Sequence, residues 1–311
     1  MARPRALASL GPALPFALLG AVALLPLAVS DSYWLGVLVV SMYFALISSG
    51  WNLLAGYTGQ FSLAPAAFAM IGAYTTGLLC VYSGVSPWVG IAAAVGATAV
   101  IGMALGRIVM RLSGPYLALT TLSFAEIARL VIANSYNVTR GDLGLNVPGL
   151  FEERLAYYYL FLGALAAVQV GLLVLLRSPS GLYLKAIRDD EVAAASRGVD
   201  VVFWKTAAFT ASTAVAGLAG ALYGHFSQLV SPELGLITQS GLVICMVVIG
   251  GMGTLVGPLA GAFLVYLLSE VLREVGGVQL IVFALAVILF ARFFREGLAG
   301  LARRAGLGKL A

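Results

Sequence analysis

Apolar residues dominate this chain in long uninterrupted runs. Ten of them approach the roughly 20 residues that a helix needs to cross a bilayer: 11–29, 34–54, 62–82, 87–110, 115–135, 156–176, 204–225, 236–251, 256–272 and 278–294. The pattern predicts an all-α integral membrane protein of about ten transmembrane helices, folded as one transmembrane domain over 1–311. The first run follows Arg3 and Arg5 and ends Leu27-Ala28-Val29-Ser30, in the manner of a secretory signal. Its length is nearer a full span, so a retained first helix is expected.

Polar interruptions divide the runs, and the longest is Arg177–Val201, RSPSGLYLKAIRDDEVAAASRGVDV. Ser178-Pro179-Ser180-Gly181 reads as a turn, and Leu182 to Arg188 as about two turns of basic helix. Asp189 or Asp190 can cap a second short helix through Glu191, Val192 and Ala193-Ala194-Ala195. Gly198 suits its end, and Arg197 there complements the helix dipole. The segment, with loop bounds 177–203, reads as a compact elbow outside the lipid; a solvated connector is the competing reading.

Two other interruptions break helices at membrane depth. Gly56, Gly59, Asn52, Gln60, Ser62 and Pro65 disrupt the stretch near 56–65, and Gly250, Gly251, Gly253, Gly257 and Gly261 the stretch near 250–261. Irregular backbone at that depth persists only when buried in protein or lining a cavity. The first is read as either a tight turn or part of a translocation pathway. The second is either close helix packing or such a pathway. In the fifth run Thr121 precedes Glu126, with Arg129 three residues on. An ionisable residue at mid-membrane is a functional candidate, and a structural ion pair is the alternative. The outer loop 136–155, YNVTRGDLGLNVPGLFEERL, reads as solvated, with Asp142, Glu152 and Glu153 available to a soluble partner.

Composition narrows the class further. The chain is 61% hydrophobic and only 10% charged, with a mean hydropathy of +1.01. No soluble fold hides that much apolar surface. The net charge of +5 is not a nucleic-acid signal, because the basic residues flank apolar runs. With an inside start, 14 Lys and Arg fall on the cytoplasmic side and only Arg140, Arg154 and Arg273 outside. That asymmetry predicts cytoplasmic N- and C-termini and a cytoplasmic elbow. Cys80 and Cys245 lie inside apolar runs, and His225 is the single histidine, so neither a disulfide framework nor a metal site is expected. No Gly-x4-Gly-Lys-Ser/Thr phosphate loop occurs, so the chain is expected not to be an enzyme and to bind no cofactor itself.

Four stretches carry a family resemblance: Asn52–Ala73 (NLLAGYTGQFSLAPAAFAMIGA), Gly114–Arg129 (GPYLALTTLSFAEIAR), Gly181–Val199 (GLYLKAIRDDEVAAASRGV) and Val248–Gly261 (VIGGMGTLVGPLAG). In this order they resemble the M-type permease subunits of ABC importers for branched-chain amino acids. The resemblance implies a bacterial cytoplasmic (inner) membrane location and a second, homologous permease subunit. It also implies two cytoplasmic ATPase subunits carrying ATP and Mg, and an extracytoplasmic substrate-binding protein. It makes Leu184, Ile187, Arg188, Asp189, Asp190, Glu191, Ala193, Ala194, Ala195, Arg197 and Gly198 the ATPase-coupling residues. Asn52, Gly59, Gln60, Ser62, Thr121, Glu126, Arg129, Gly251 and Gly253 become the candidate pathway. Relatives often read Gly-His where this chain has Ala64-Pro65, so a role for that histidine does not carry over. An ion-coupled secondary transporter or channel using Glu126 is the alternative function. An intramembrane enzyme lacks a nucleophile–base spacing.

Overall fold

A computed structural model of the chain describes residues 13–28, 31–112, 114–273 and 298. The described elements in order are α1 (Ala13–Ala28), α2 (Ser32–Thr58), α3 (Pro65–Ser83), α4 (Pro87–Val109), α5 (Pro115–Asn134) and the short α6 (Tyr136–Thr139). A two-residue strand β1 (Leu145–Asn146) follows, then α7 (Arg154–Arg177), α8 (Pro179–Asp189), α9 (Glu191–Ser196) and α10 (Val201–Ser227). Strand β2 (Leu229–Val230), α11 (Ile237–Gly250) and α12 (Gly257–Leu272) complete it. Nine of the ten apolar runs fall on helices, and the run 278–294 lies outside the described residues. Among the described residues, six helices are long and apolar enough to cross a membrane: α2, α3, α4, α5, α7 and α10. Shorter apolar helices are α11 and α12, and α1 has 16 residues.

The core forms where small residues let backbones meet. α10 lies against α2, α3 and α4. A Cβ on Gly72 would sit 2.6 Å from the Cα of Gly217, and one on Gly217 would sit 2.6 Å from Cγ2 of Thr98. Glycine at both places permits an approach that no larger residue allows. α2 is buried almost from end to end, whereas α5 keeps only Leu117, Thr121 and Ala125 buried. Pro26 inside α1 has no N–H for the carbonyl of Val22, and the buried Tyr158 of α7 donates its hydroxyl there instead.

Loops sort to two ends of the bundle. One end gathers the α2–α3 connection, the elbow α8–α9 and the α11–α12 turn, where Arg188 reaches the carbonyl of Gly56 and approaches Gly253. At the other, Arg154 donates to Ser32 O at 2.7 Å, and β1 pairs antiparallel with β2. The loop 136–155 is therefore held in more contacts than its composition suggests. Leu145 and Val147 are buried against Met70, Ala73, Tyr74 and Val230. His225 ties the same loop down: its Nδ1 lies 2.8 Å from Pro148 O and its Nε2 2.8 Å from Thr76 Oγ1. Most of 136–155 stays exposed, as a solvated loop does, but Leu145 and Val147 are buried and the ring of His225 holds the backbone at Pro148.

Candidate functional site

The elbow begins one turn earlier than its sequence suggests. Pro179 occupies the first helical position of α8, where a missing N–H costs nothing. Gly181 lies in α8 against the backbone of Leu176, and glycine is required there because a Cβ would be 2.6 Å from the Leu176 Cα. Asp190 is the cap of α9, accepting from Val192 N at 2.9 Å and Ala193 N at 3.0 Å. Gly198 stops that helix at φ +84°, in the left-handed region that suits glycine.

Burial divides the elbow's faces. Leu184, Ile187 and Ala194 point into this chain and are buried, so they anchor the elbow and do not form its outer surface. Their spacing carried the signal: Gly181, Leu184 and Ile187 recur every three residues on one helical face. The outer face instead presents Ala193, Ala195, Arg197 and Val192, and Val192 is 80% exposed. Sequence reasoning left Val192 out of the coupling set. A bare β-branched residue between two polar caps gives little sign of its orientation.

α2 does not break at its glycines. It runs through Gly56 to Thr58, and the irregular segment is only 59–64. Gly56 is needed there because a Cβ would lie 2.6 Å from Gly253 N. The chain then doubles back: Trp51 Nε1 donates to Ser62 O at 2.7 Å, which returns the segment about 10 Å along α2 by helical rise. Side chains from other helices meet amides of this segment and of the first turn of α3. Leu63 N donates to Thr121 Oγ1 at 3.0 Å, and Ala66 N to Ser240 Oγ at 3.3 Å. Pro65 opens α3 at the position where its ring is tolerated.

Three elements meet where the elbow touches this segment. Asn52 Nδ2 donates to Thr254 O at 2.8 Å, and Gly253 N donates to Asn52 Oδ1 at 2.8 Å, so one buried amide clamps the α11–α12 turn to α2. Gly251 and Gly253 take φ values of +120° and +78° in that turn, which non-glycine residues rarely adopt. Arg188 donates to Gly56 O. Gln60 Nε2 donates to Glu191 Oε1 at 2.9 Å, and the same oxygen pairs with the buried ammonium of Lys205. A notch of about 360 Å³ opens beside them, lined by Gly59, Gln60, Phe61, Gly114, Pro115, Leu117, Ala118 and Glu191.

The structure thus brings Asn52, Gly59, Gln60, Gly251 and Gly253 to the elbow, with Ser62 and Thr121 just deeper. Glu126 and Arg129 stand apart. Arg129 Nε donates to Glu126 Oε2 at 3.1 Å, and the pair lies partly exposed on the outer side of α5. Lys205, unnamed among the sequence candidates, joins the junction; a single lysine at the head of an apolar run looks like a topology signal. Among the described residues no group of histidine, cysteine and acidic side chains could hold a metal.

Long apolar helices, an irregular segment folded back among them and an elbow outside the apolar spans define a multi-pass, all-α membrane protein. Comparison with known proteins gives the family. The chain belongs to the family described as "Branched-chain amino acid transport system / permease component", whose model matches residues 33–292. It is 32% identical to the high-affinity branched-chain amino acid transport system permease protein LivM of Escherichia coli, covering 91% of this chain and 75% of that one. The Salmonella typhimurium LivM is 31% identical over 85% of this chain and 69% of its own length. A probable LivM of Methanocaldococcus jannaschii is 23% identical over 74% and 78%. No solved structure matches.

Proposed function

We propose that this chain is the membrane-spanning permease subunit of an ATP-binding-cassette importer for branched-chain or related small amino acids. It crosses a bacterial cytoplasmic membrane about ten times with both termini inside, pairs with a second permease, and docks ATPase subunits on its elbow. The observation that carries this reading is the elbow itself. α8 and α9 are capped, anchored by Leu184, Ile187 and Ala194, and wired to the re-entrant segment through Arg188, Glu191 and Gln60. A push on the outer face of α9 therefore moves the mouth of the notch. The secondary-transporter alternative loses support because the carboxylate of Glu126 is engaged by Arg129 through two hydrogen bonds.

Two measurements test the reading. Ala195→Trp enlarges the exposed face of α9 without entering the core. It should leave membrane insertion intact while reducing co-purified ATPase at least tenfold; an unchanged ATPase yield and uptake rate would return the elbow to a mere connector. Orientation is checked separately. Apart from Arg129 within α5, the basic residues of the described part divide seven to three between the two ends. Lys185→Cys should label only from the cytoplasmic side and Asn146→Cys only from outside. Labelling of both from one face would refute the topology.

A further inference from the structure

Outside this junction, a second recess lies between the last turn of α4 and the first turns of α10. It encloses about 820 Å³ and is lined mainly by apolar groups, among them Met103, Phe203, Ala207 and Ala211. Two arginines stand at its rim, Arg107 in the last turn of α4 and Arg111 in the turn that follows it. Both are exposed, and neither has an ion-pair partner among the described residues. Asp200 is the acidic group of the recess, and its carboxylate is engaged in capping α10, accepting from Phe203 N at 3.0 Å. Thr206, also in the lining, keeps a buried hydroxyl without a hydrogen-bond partner.

We infer that this recess holds an acidic phospholipid. Its position supplies the first argument. The recess lies at the bundle end that carries the elbow, and the helix α4 that lines it also carries outward-facing apolar side chains: Val100 is 62% exposed and Ile108 72%. In a membrane that face meets acyl chains, so a molecule with two apolar tails enters without leaving the bilayer. Charge supplies the second. Two unpaired guanidiniums at interfacial depth attract a phosphodiester and can hydrogen-bond its oxygens in fork geometry. A zwitterionic head group brings its own ammonium to the same place and gains less. The apolar floor takes the glycerol end of the chains, and the arginines fix the phosphate above it.

The test titrates the full-length chain in detergent with phosphatidylglycerol, with phosphatidylcholine of the same acyl chains, and with soluble glycerol phosphate, reading bound species by native mass spectrometry. Phosphatidylglycerol should bind at least tenfold tighter than phosphatidylcholine. Glycerol phosphate at millimolar concentration should fail to displace it. Arg107→Gln with Arg111→Gln should weaken phosphatidylglycerol about 30-fold, two basic contacts' worth. The matched lysine pair should retain most of the affinity. Ala211→Leu, which fills the floor and leaves the charges in place, should also weaken binding, so the test survives if the glutamine pair folds poorly. Equal affinity for the two lipids, or no change in both the glutamine pair and Ala211→Leu, overturns the assignment. Displacement by glycerol phosphate alone overturns the lipid and leaves a free-phosphate site.

Discussion

Asn52→Leu is expected to be among the most damaging single substitutions in this chain, costing about 2–6 kcal/mol. The estimate follows from what leucine leaves behind. Asn52 is wholly buried, and its amide satisfies both Gly253 N and Thr254 O. Leucine has the same branching pattern but is bulkier and carries neither polar group, so two buried backbone groups lose their partners at about 1–3 kcal/mol each. The turn they belong to is held by Gly251 and Gly253 in left-handed conformations and has no regular ladder to fall back on. Asn52→Asp separates the two bonds. It keeps the acceptor for Gly253 N but faces Thr254 O with a second acceptor, so it should be no milder. Folded yield and thermal midpoint in detergent measure the effect. A variant as stable as the parent would mean that the clamp between α2 and the α11–α12 turn is dispensable.

Glu191→Gln should destabilise the fold by about 3 kcal/mol, although Glu191 itself is 42% exposed in its side chain. The cost sits on its partner. Lys205 is only 3% exposed in its side chain, and without the carboxylate its ammonium is left charged and unmatched in a low-dielectric setting. Breaking a buried pair from one side is more damaging than removing both ends. Glu191→Gln combined with Lys205→Met should therefore recover most of the loss, and the double-mutant cycle should show an interaction of at least 1 kcal/mol. Transport should not recover with stability, because Gln60 and the elbow are then joined by a neutral contact alone. Additive losses in the cycle would show that the pair contributes nothing, and full uptake by the double variant would show that the link is not part of coupling.

Much of the fold could be read in advance because lipid-sized apolar runs leave few choices. Nine runs became helices within a few residues of their expected bounds, and local chemistry alone pointed to the stop at Gly198 and narrowed the cap of α9 to Asp189 or Asp190, of which the structure uses Asp190. What escaped was everything set by partners distant in sequence. Gly56 looks like a helix breaker; it stays helical because Gly253, nearly 200 residues later, needs the space. The loop 136–155 is polar enough to be solvated, yet the pairing of Leu145 with Val230 and the ring of His225 hold it down. At the junction, residue type pointed to Asn52, Gln60 and Glu191, but which atom meets which depended on how the chain doubles back after Thr58. Asn52, Gly59, Gln60, Ser62, Thr121, Gly251 and Gly253 thus come together near the elbow, while Glu126 and Arg129 stand apart because α5 turns them away from it.

The glycine seam between α3, α4 and α10 also has a consequence for how the protein is made. Gly72 and Thr98 emerge early, but the residues they close upon, Gly217 and its neighbours, follow about 120 to 145 residues later. At a synthesis rate of about 5–20 residues per second, the α3–α4 hairpin waits on the order of ten seconds before α10 arrives. Through that interval its small-residue faces are in contact with lipid or with the insertion machinery, and the backbone fit that defines the mature core does not yet exist. Closure of this seam is therefore gated by the arrival of α10.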